Sequence, residues 1–446
     1  MHHTPQHGRR RLLCIYPWMA LGGADTFNLD MLDQLGRRGW SATVATTLPG
    51  PHPWRAAFER RSDALVDLSA GAPEALPARA VALLAAHAPD CVLVSHSHIG
   101  YRLLPYLRAH APRTAFVDYC HIAEGDGNYV RASLEQAAAL DRQIVSSQQL
   151  RSWMCARGGD PDRIAVCTTN VDTDRWDPAR FDREQLRAAL EIAPDVPVVL
   201  YAARLERQKQ PLLALEIMRR VLRHAPETVF LIAGAGRFGG YLRGVVRRHG
   251  LERQIRLLGA VDSARVGELL SISDIFFLPS ELEGVSLAIY EAMAMAVVPL
   301  SAAVGGQAEL VSPGCGVLIE RGPREGERYT AALLELIGDR ERLRAMGAAA
   351  RARVAAQFPL AAMGQRMDEL LEQARAARRD DPRPPVGAAT ALASARVGVT
   401  QARREWAALA GKRPASRLGA AYWHLLNGPG WPLLPLAERL RATVRR

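Results

Sequence analysis

Residues 274–303, DIFFLPSELEGVSLAIYEAMAMAVVPLSAA, decide the reading of the chain. The apolar run Ile275–Leu278 is too short for a helix and, closed by Pro279 and Ser280, reads as a buried strand. Ser286–Ala296 is built of good helix formers, and VVPLSAA reads as the next strand. Strand, helix and strand in that order form a βαβ unit, which makes the two strands parallel neighbours. Two carboxylates stand out within the unit: Glu283 in the strand-to-helix loop and Glu291 inside the helix.

The same alternation runs through both halves of the chain. The first half reads RLLCIYP, a helix from about Asp25 to Arg38, then SATVATT, CVLVSHS, RTAFVDYCH and RQIVSSQ. The second reads PVVLYAARL, a helix near Leu212 to Arg223, then TVFLIAGAG, QIRLLGAV, DIFFLPS and VVPLSAA. Each half is therefore expected to be a doubly wound, Rossmann-like α/β domain. Between them the polar segment NVDTDRWDPARFDREQLRAALEIAPDVP, with three prolines, suits an interdomain connection. After Gly338 a run of helix formers reaches Arg379, where DDPRPP stops it. The expected organisation is an N-terminal domain over 1–172, a linker over 173–195, a second domain over 196–356, a helix over 357–380 packing back on the first domain, and a basic, aromatic helical tail over 381–446.

Composition narrows the class. The 446 residues are 48% apolar and 23% charged, enough for two or three packed domains, and hold no uncharged apolar run long enough to span a bilayer. No signal peptide is read at the N-terminus. The six cysteines form no CxxC pair, so neither a zinc site nor a disulfide framework is expected, and a reducing cytoplasm is the simplest location. The net charge of +11 is concentrated in residues 382–446, where eleven Lys/Arg face only Glu405 and Glu438. The main body is left near neutral, which removes the compositional case for nucleic-acid binding. In that tail Trp423 and Trp431 alternate with leucines and arginines. Such a pattern fits adsorption to an anionic membrane surface, here the inner face, and fits equally well packing on the protein itself or on a second copy.

Ligands of doubly wound sheets bind outside the carboxyl ends of the strands. A helix starting near Val285, Ser286 and Leu287 presents free N–H groups there, which suit a phosphate. Glu283 and Glu291 would flank that anion and accept hydrogen bonds from hydroxyls on either side, matching the sugar, diphosphate and ribose of a nucleotide sugar in that order. The plain alternative is a helix cap at Glu283 and a solvated face at Glu291. In ARLERQKQP, Arg204 and Lys209 follow the first strand of the second half, where two cations would neutralise a diphosphate; a solvated helix start is the plain alternative. Gly22 and Gly23, between the first strand and first helix, allow close backbone approach to an anion or simply make a turn.

Three further patterns compete. Gly234, Gly236 and Gly239 in GAGRFGG follow a strand as a dinucleotide fingerprint would, with Asp262 ending the next strand, so NAD is a second reading. Asp172-Thr173-Asp174 has the spacing of a metal-holding DxD, but in the connecting segment it reads as a turn, and no metal is expected. His96 and His98 in VSHSH, taken as alternate residues at a strand end, would point to opposite faces and suit acceptor contact or loop packing better than a metal.

The ordered set GGADTFNLDMLDQLGRRGW, CHIAEGD, NVDTDRW, ARLERQK, LIAGAGR, LLGAV, PSELEGVSLAIYEAMA and VGGQAELV resembles the retaining glycosyltransferases of the two-domain GT-B type, family 4, over about residues 11–376. Glu283 and Glu291 match the E-x7-E signature of that family. The resemblance implies two Rossmann-like domains facing across a cleft with a C-terminal helical extension. It implies a nucleoside-diphosphate-sugar donor, a glycan or lipid-linked acceptor, and no cofactor or metal. It places Arg204 and Lys209 on the donor diphosphate, Glu283 on the transferred sugar, Glu291 on the ribose, Gly22 and Gly23 beside the diphosphate, the Gly234–Gly236 loop near the donor, and His121 near the sugar. The chain departs from the family at Val285-Ser286-Leu287, where a Gly-containing triplet is common, and at Ala296, where Gly is common. A non-catalytic nucleotide- or glycan-binding subunit of the same fold is the alternative.

Overall fold

Short apolar runs bounded by Gly, Pro and polar residues become strands buried on both faces, because helices returning between parallel strands cover the sheet twice. In the computed structural model, which describes residues 10–20, 22–123, 129–380 and 386–410, these strands make two all-parallel sheets. The first holds β1 (Arg10–Tyr16), β2 (Trp40–Thr46), β3 (Ala64–Asp67), β4 (Cys91–Ser95), β5 (Ala115–Cys120), β6 (Arg142–Val145) and β7 (Ile164–Val166) in the order β3-β2-β1-β4-β5-β6-β7. The second holds β8 (Val198–Ala202), β9 (Val229–Ala233), β10 (Ile255–Gly259), β11 (Ile275–Leu278), β12 (Val298–Ala302) and β13 (Val317–Ile319) in the order β10-β9-β8-β11-β12-β13. Alternate residues of β1 feed two cores: Leu13 and Ile15 pack on one side of the sheet, Leu12, Cys14 and Tyr16 on the other.

Strand order reverses between β1 and β4 in the first sheet and between β8 and β11 in the second. A crevice opens at such a switch point, and the loops after those strands line it. Those loops carry Gly22 and His96 on one side, and Arg204, Lys209 and Glu283 on the other. This is the GT-B arrangement of two Rossmann-like domains, with a C-terminal helical extension.

Several elements differ from the sequence pattern. β3, β7 and β13 have only three or four residues, too short for a periodicity to register, and β3 and β13 are largely half-buried. The helical run after Gly338 divides into Arg340–Gln357 and Leu360–Asp380, because Pro359 offers no N–H to continue the ladder. Phe358 accepts from the Val171 N–H (3.0 Å) and Leu360 donates to the Val171 carbonyl (2.9 Å), so the two interdomain crossings are bonded to each other. Helix Leu360–Asp380 then inserts Met363, Met367, Leu370, Leu371 and Ala374 into the core of the first domain. There Asp368 accepts from Trp40 Nε1 (2.7 Å) and Arg10 (2.8 Å). The connecting segment forms a helix, Arg183–Ala189, whose Arg183 and Arg187 bind Asp274 of the second domain at 2.7 and 3.2 Å.

The first part of the tail is a helix, Ala388–Ala410, lying along helix His98–His110. Ala391, Ala395, Gly398 and Ala402 make a narrow buried face, and a Cβ at Gly398 would come within 2.6 Å of Leu103. Ser394 donates to the Arg102 carbonyl (2.6 Å) and Trp406 Nε1 to the Thr47 carbonyl (2.9 Å). Residues 411–446, with Trp423 and Trp431, lie outside the described residues.

Candidate active site

On the second domain the loop after β8 is held by backbone contact. A Cβ at Gly234 would lie 1.9 Å from the Ala203 carbonyl oxygen, and one at Gly236 2.5 Å from that of Leu205. Ala203 and Leu205 donate to Ala233 and Ala235 (3.0 and 2.9 Å). Glycine is required because the two loops touch through main chain. Arg204, between those contacts, is exposed and its guanidinium has no protein partner among the described residues. Lys209 ends a one-turn 3-10 helix, Arg207–Lys209, whose last carbonyl accepts from Tyr201 Oη (2.9 Å).

The loop after β11 is tied to this one: Glu281 donates to the Gln208 carbonyl (2.7 Å) and Gln208 Nε2 to that of Leu282 (2.9 Å). Lys209 Nζ then meets Glu283 Oε1 at 2.5 Å, with both side chains largely buried. The carboxylate of Glu283 is thus spent on Lys209 and does not cap the following helix. Gly305, at φ 57°, backs this loop; a Cβ there would sit 2.0 Å from the Glu283 carbonyl, and Gly306 donates to Gly284 O (2.7 Å). The helix is Leu287–Ala294, capped by Ser286 without a side-chain bond. The N–H groups of Val285 and Ser286 have no backbone partner among the described residues. One turn into the helix, Glu291 is half-buried with no side-chain bond among the described residues. Burial pushes its carboxyl up to about 8, with Arg175 opposing and Asp30 of the first helix adding to the rise.

Ala296 takes φ 58° at the helix C-terminus, a left-handed position where glycine has no Cβ penalty. The departure from glycine there concerns helix termination and not the cleft.

The first domain faces this loop with rings. Gly22 caps helix Gly23–Arg37, and a Cβ on Gly23 would stand 3.8 Å from that of Leu287, so the two helix starts meet across the cleft. His121 follows β5, enclosed by Phe27 (centroids 5.0 Å, edge-on), Tyr119 (4.5 Å) and His96 (4.6 Å, 25° between planes). Its Nε2 is buried without a partner among the described residues, and burial, then the neighbouring His96, holds the imidazole well below its ordinary range. The domains touch at this residue: a Cβ on Gly284 would come within 1.9 Å of the His121 carbonyl oxygen. The expectation for His96 and His98 changes here. β4 ends at Ser95, His96 turns into the left-handed region (φ 58°) and His98 opens the next helix, so strand alternation does not govern them.

The competing patterns find structural uses. Asp172 accepts from the N–H groups of Asp174 and Arg175 (both 3.0 Å), a turn; Asp262 caps its helix through Arg265 N–H (2.8 Å) and is not free for a ribose. Among the described residues no group of three or more His, Cys, Asp or Glu is placed to hold a metal, and no helix is long and apolar enough to cross a membrane. Tyr201, Gln208 and the pair Gly305–Gly306 were not singled out from the sequence as parts of the site; only VGGQ was visible as a glycine pair before a helix, and His96 was read for acceptor contact or loop packing.

Two family models match, "Glycosyl transferases group 1" over residues 182–353 and "Glycosyltransferase Family 4" over residues 21–175. A GDP-mannose-dependent monoacylated alpha-(1-6)-phosphatidylinositol monomannoside mannosyltransferase of Corynebacterium glutamicum is 28% identical over 236 residues, 51% of this chain and 61% of that protein. A D-inositol 3-phosphate glycosyltransferase of Geodermatophilus obscurus is 31% identical over 219 residues, 47% of this chain and 48% of the relative. The matched regions thus span about half to three fifths of these relatives' length. Among solved structures, Anabaena HepE in complex with UDP and glucose superimposes with a TM-score of 0.70 at 21% identity, over 82% of this chain and all of that one. The two matched segments fall one on each Rossmann-like domain, and the chain belongs to the group 1, family 4 type of GT-B glycosyltransferases.

Proposed function

We propose that the cleft transfers a sugar, hexose or pentose, from a nucleoside-diphosphate donor to a hydroxyl of a glycan or lipid-linked acceptor, with retention at the anomeric carbon. The Lys209–Glu283 pair carries this reading, because it sets a cation and a carboxylate between exposed Arg204 and a helix N-terminus whose first N–H groups have no backbone partner among the described residues. The donor diphosphate would lie over Arg204, Lys209 and the N–H groups of Val285 and Ser286, with Gly22 and Gly23 closing from the first domain. Negative charge grows on the diphosphate as the bond to the anomeric carbon breaks, and fixed cations and N–H dipoles stabilise it without a metal. Glu283, held by Lys209, orients the sugar hydroxyls and does not attack the anomeric carbon. The acceptor oxygen bonds that carbon from the face the diphosphate leaves, its proton passes to a departing phosphate oxygen, and nucleoside diphosphate is released. Glu291 accepts from the ribose hydroxyls, and His121 meets a hydroxyl of the transferred sugar.

Names of the relatives, which act on inositol phosphate and phosphatidylinositol mannoside, favour glycolipid, lipopolysaccharide or cell-surface polysaccharide assembly. Residues 411–446, which follow the docked helix in sequence, are rich in basic and aromatic residues and would hold the enzyme at the inner face of an anionic membrane. Sedimentation with anionic vesicles should fall when 411–446 are deleted; unchanged sedimentation would remove that role.

The transfer reading is tested by incubating the protein with UDP-, GDP-, ADP- and dTDP-sugars in chelator and measuring released nucleoside diphosphate, with and without a crude lipid extract. Release from one donor, lost in Glu283→Ala, is expected. Binding of a donor with no release under any acceptor condition would instead favour a non-catalytic binding subunit.

A further inference from the structure

His121 has a buried Nε2 with no hydrogen-bond partner among the described residues, so none of their polar groups fixes its ring orientation at that atom. Orientation must come from packing, and the ring lying nearly parallel over it is His96, at 4.6 Å and 25°. Phe27 and Tyr119 meet His121 steeply, at 86° and 60°, and so do not stack on it. We propose that His96 is a positioning residue for His121, an imidazole plate that keeps the His121 ring flat against the transferred sugar. The inference rests on the reading of the cleft as a nucleotide-sugar site.

His96 is itself tightly specified. Ser95 Oγ has one proton and donates it to the Tyr119 carbonyl (3.1 Å), so toward His96 Nδ1 (3.1 Å) it can only accept. That bookkeeping assigns the proton of His96 to Nδ1 and leaves Nε2 a lone pair. The backbone at His96 is left-handed, and the next residue is anchored twice: Ser97 Oγ accepts from Gly100 N–H (2.9 Å) and meets Thr47 Oγ1 (2.7 Å). Thr47 in turn accepts the Trp406 N–H, so the C-terminal helix braces the loop that presents His96. Tyr129 covers His96 at 4.3 Å, and its hydroxyl accepts from Ile122 N–H (3.2 Å), the residue after His121.

Two adjacent imidazoles in a low-dielectric pocket resist protonation together. Burial, then His98, lowers His96 to about 4, and burial, then His96, holds His121 well below its ordinary range. The other titratable groups near His121 among the described residues are Tyr119, Tyr129 and, beyond the Gly284 contact, the Lys209–Glu283 pair. A group whose folded pKa is depressed becomes charged only at low pH, so the acid limb of the rate profile should lie below the ordinary imidazole range of about 6.5. Removing the His96 ring admits water and should move that limb upward.

The test compares His96→Asn, His96→Phe and His121→Ala in the full chain, measuring kcat, donor KM and the pH profile of nucleoside-diphosphate release. Asn tolerates the left-handed backbone and keeps an amide donor for Ser95, so folding is preserved while the ring is lost. His96→Asn is expected to lower kcat about tenfold with little change in donor KM and to raise the acid limb, whereas His96→Phe keeps the plate and stays within about threefold of wild type with the limb in place. A wild-type kcat and profile in His96→Asn while His121→Ala is impaired would overturn the positioning role alone, as would His96→Phe falling as low as His96→Asn. Full activity in His121→Ala would overturn it together with the placement of His121 on the sugar.

Discussion

The two walls of the cleft are built by opposite means. The second domain presents charge held by short bonds: Lys209 against Glu283, loops stitched through Gln208, and glycine backbones pressed together at Gly234, Gly236 and Gly305. The first domain presents rings without net charge, where Phe27, His96, Tyr119, His121 and Tyr129 pack by shape. A wall that stabilises a departing diphosphate must be preorganised and charged. A wall that closes over a neutral sugar gains more from excluding water than from adding charge, and closure then strengthens the electrostatics opposite.

The largest break in this contrast is expected from Lys209→Ala. It removes the cation proposed to meet the leaving group and leaves Glu283 a mostly buried carboxylate without its partner, so turnover should fall about 10²- to 10³-fold and chemical denaturation should show a loss of about 3 kcal/mol. Turnover within threefold of wild type would remove Lys209 from the mechanism. Next comes Gly284→Ala, aimed at the point where the walls meet. The added Cβ would overlap the His121 carbonyl, 1.9 Å away, and hold the domains apart. Turnover should drop about a hundredfold while the melting transition stays cooperative; unaltered kinetics would show that this contact is not made in the working state.

The smallest effect concerns Glu291. Its folded-state carboxyl, near 8, is raised above the ordinary value of about 4.3, so the unfolded chain releases this proton first as pH rises. Stability from this group is therefore present at pH 4 and declines between about pH 4.3 and about 8. Glu291→Gln should melt like wild type at pH 4 and higher than wild type at pH 8, and an equal difference at both values would contradict the burial argument.

Much of the scaffold was legible in the sequence because buried parallel strands are short, continuous apolar runs, as in CVLVS and DIFFL. Edge strands such as ALVD and VLI were not, being half-exposed and shorter than any period. The two glutamates were legible through their spacing around one helix start. Their partners were not: Lys209 lies 74 residues from Glu283, and only the adjacency of β8 and β11 brings them together. The ring cluster is harder still, since its members come from the first helix, the loops after β4 and β5, β5 itself and the start of helix Tyr129–Glu135. His96 looked like half of a strand-end pair until the strand was seen to stop one residue earlier. The tail divided in the same way, its small-residue face at Ala391, Ala395, Gly398 and Ala402 hidden behind the arginine count.

The central claim is that the second domain binds a diphosphate between Arg204, Lys209 and the helix start. Calorimetric titration of nucleoside diphosphate against the matching monophosphate, in wild type and in Arg204→Ala, tests it most directly. The diphosphate should bind at least about tenfold more tightly than the monophosphate, as one charge-assisted bond of about 1.5–3 kcal/mol requires, and Arg204→Ala should erase most of that difference while leaving the melting temperature unchanged. Equal affinity for the two nucleotides, or a preference that survives Arg204→Ala, would contradict the account.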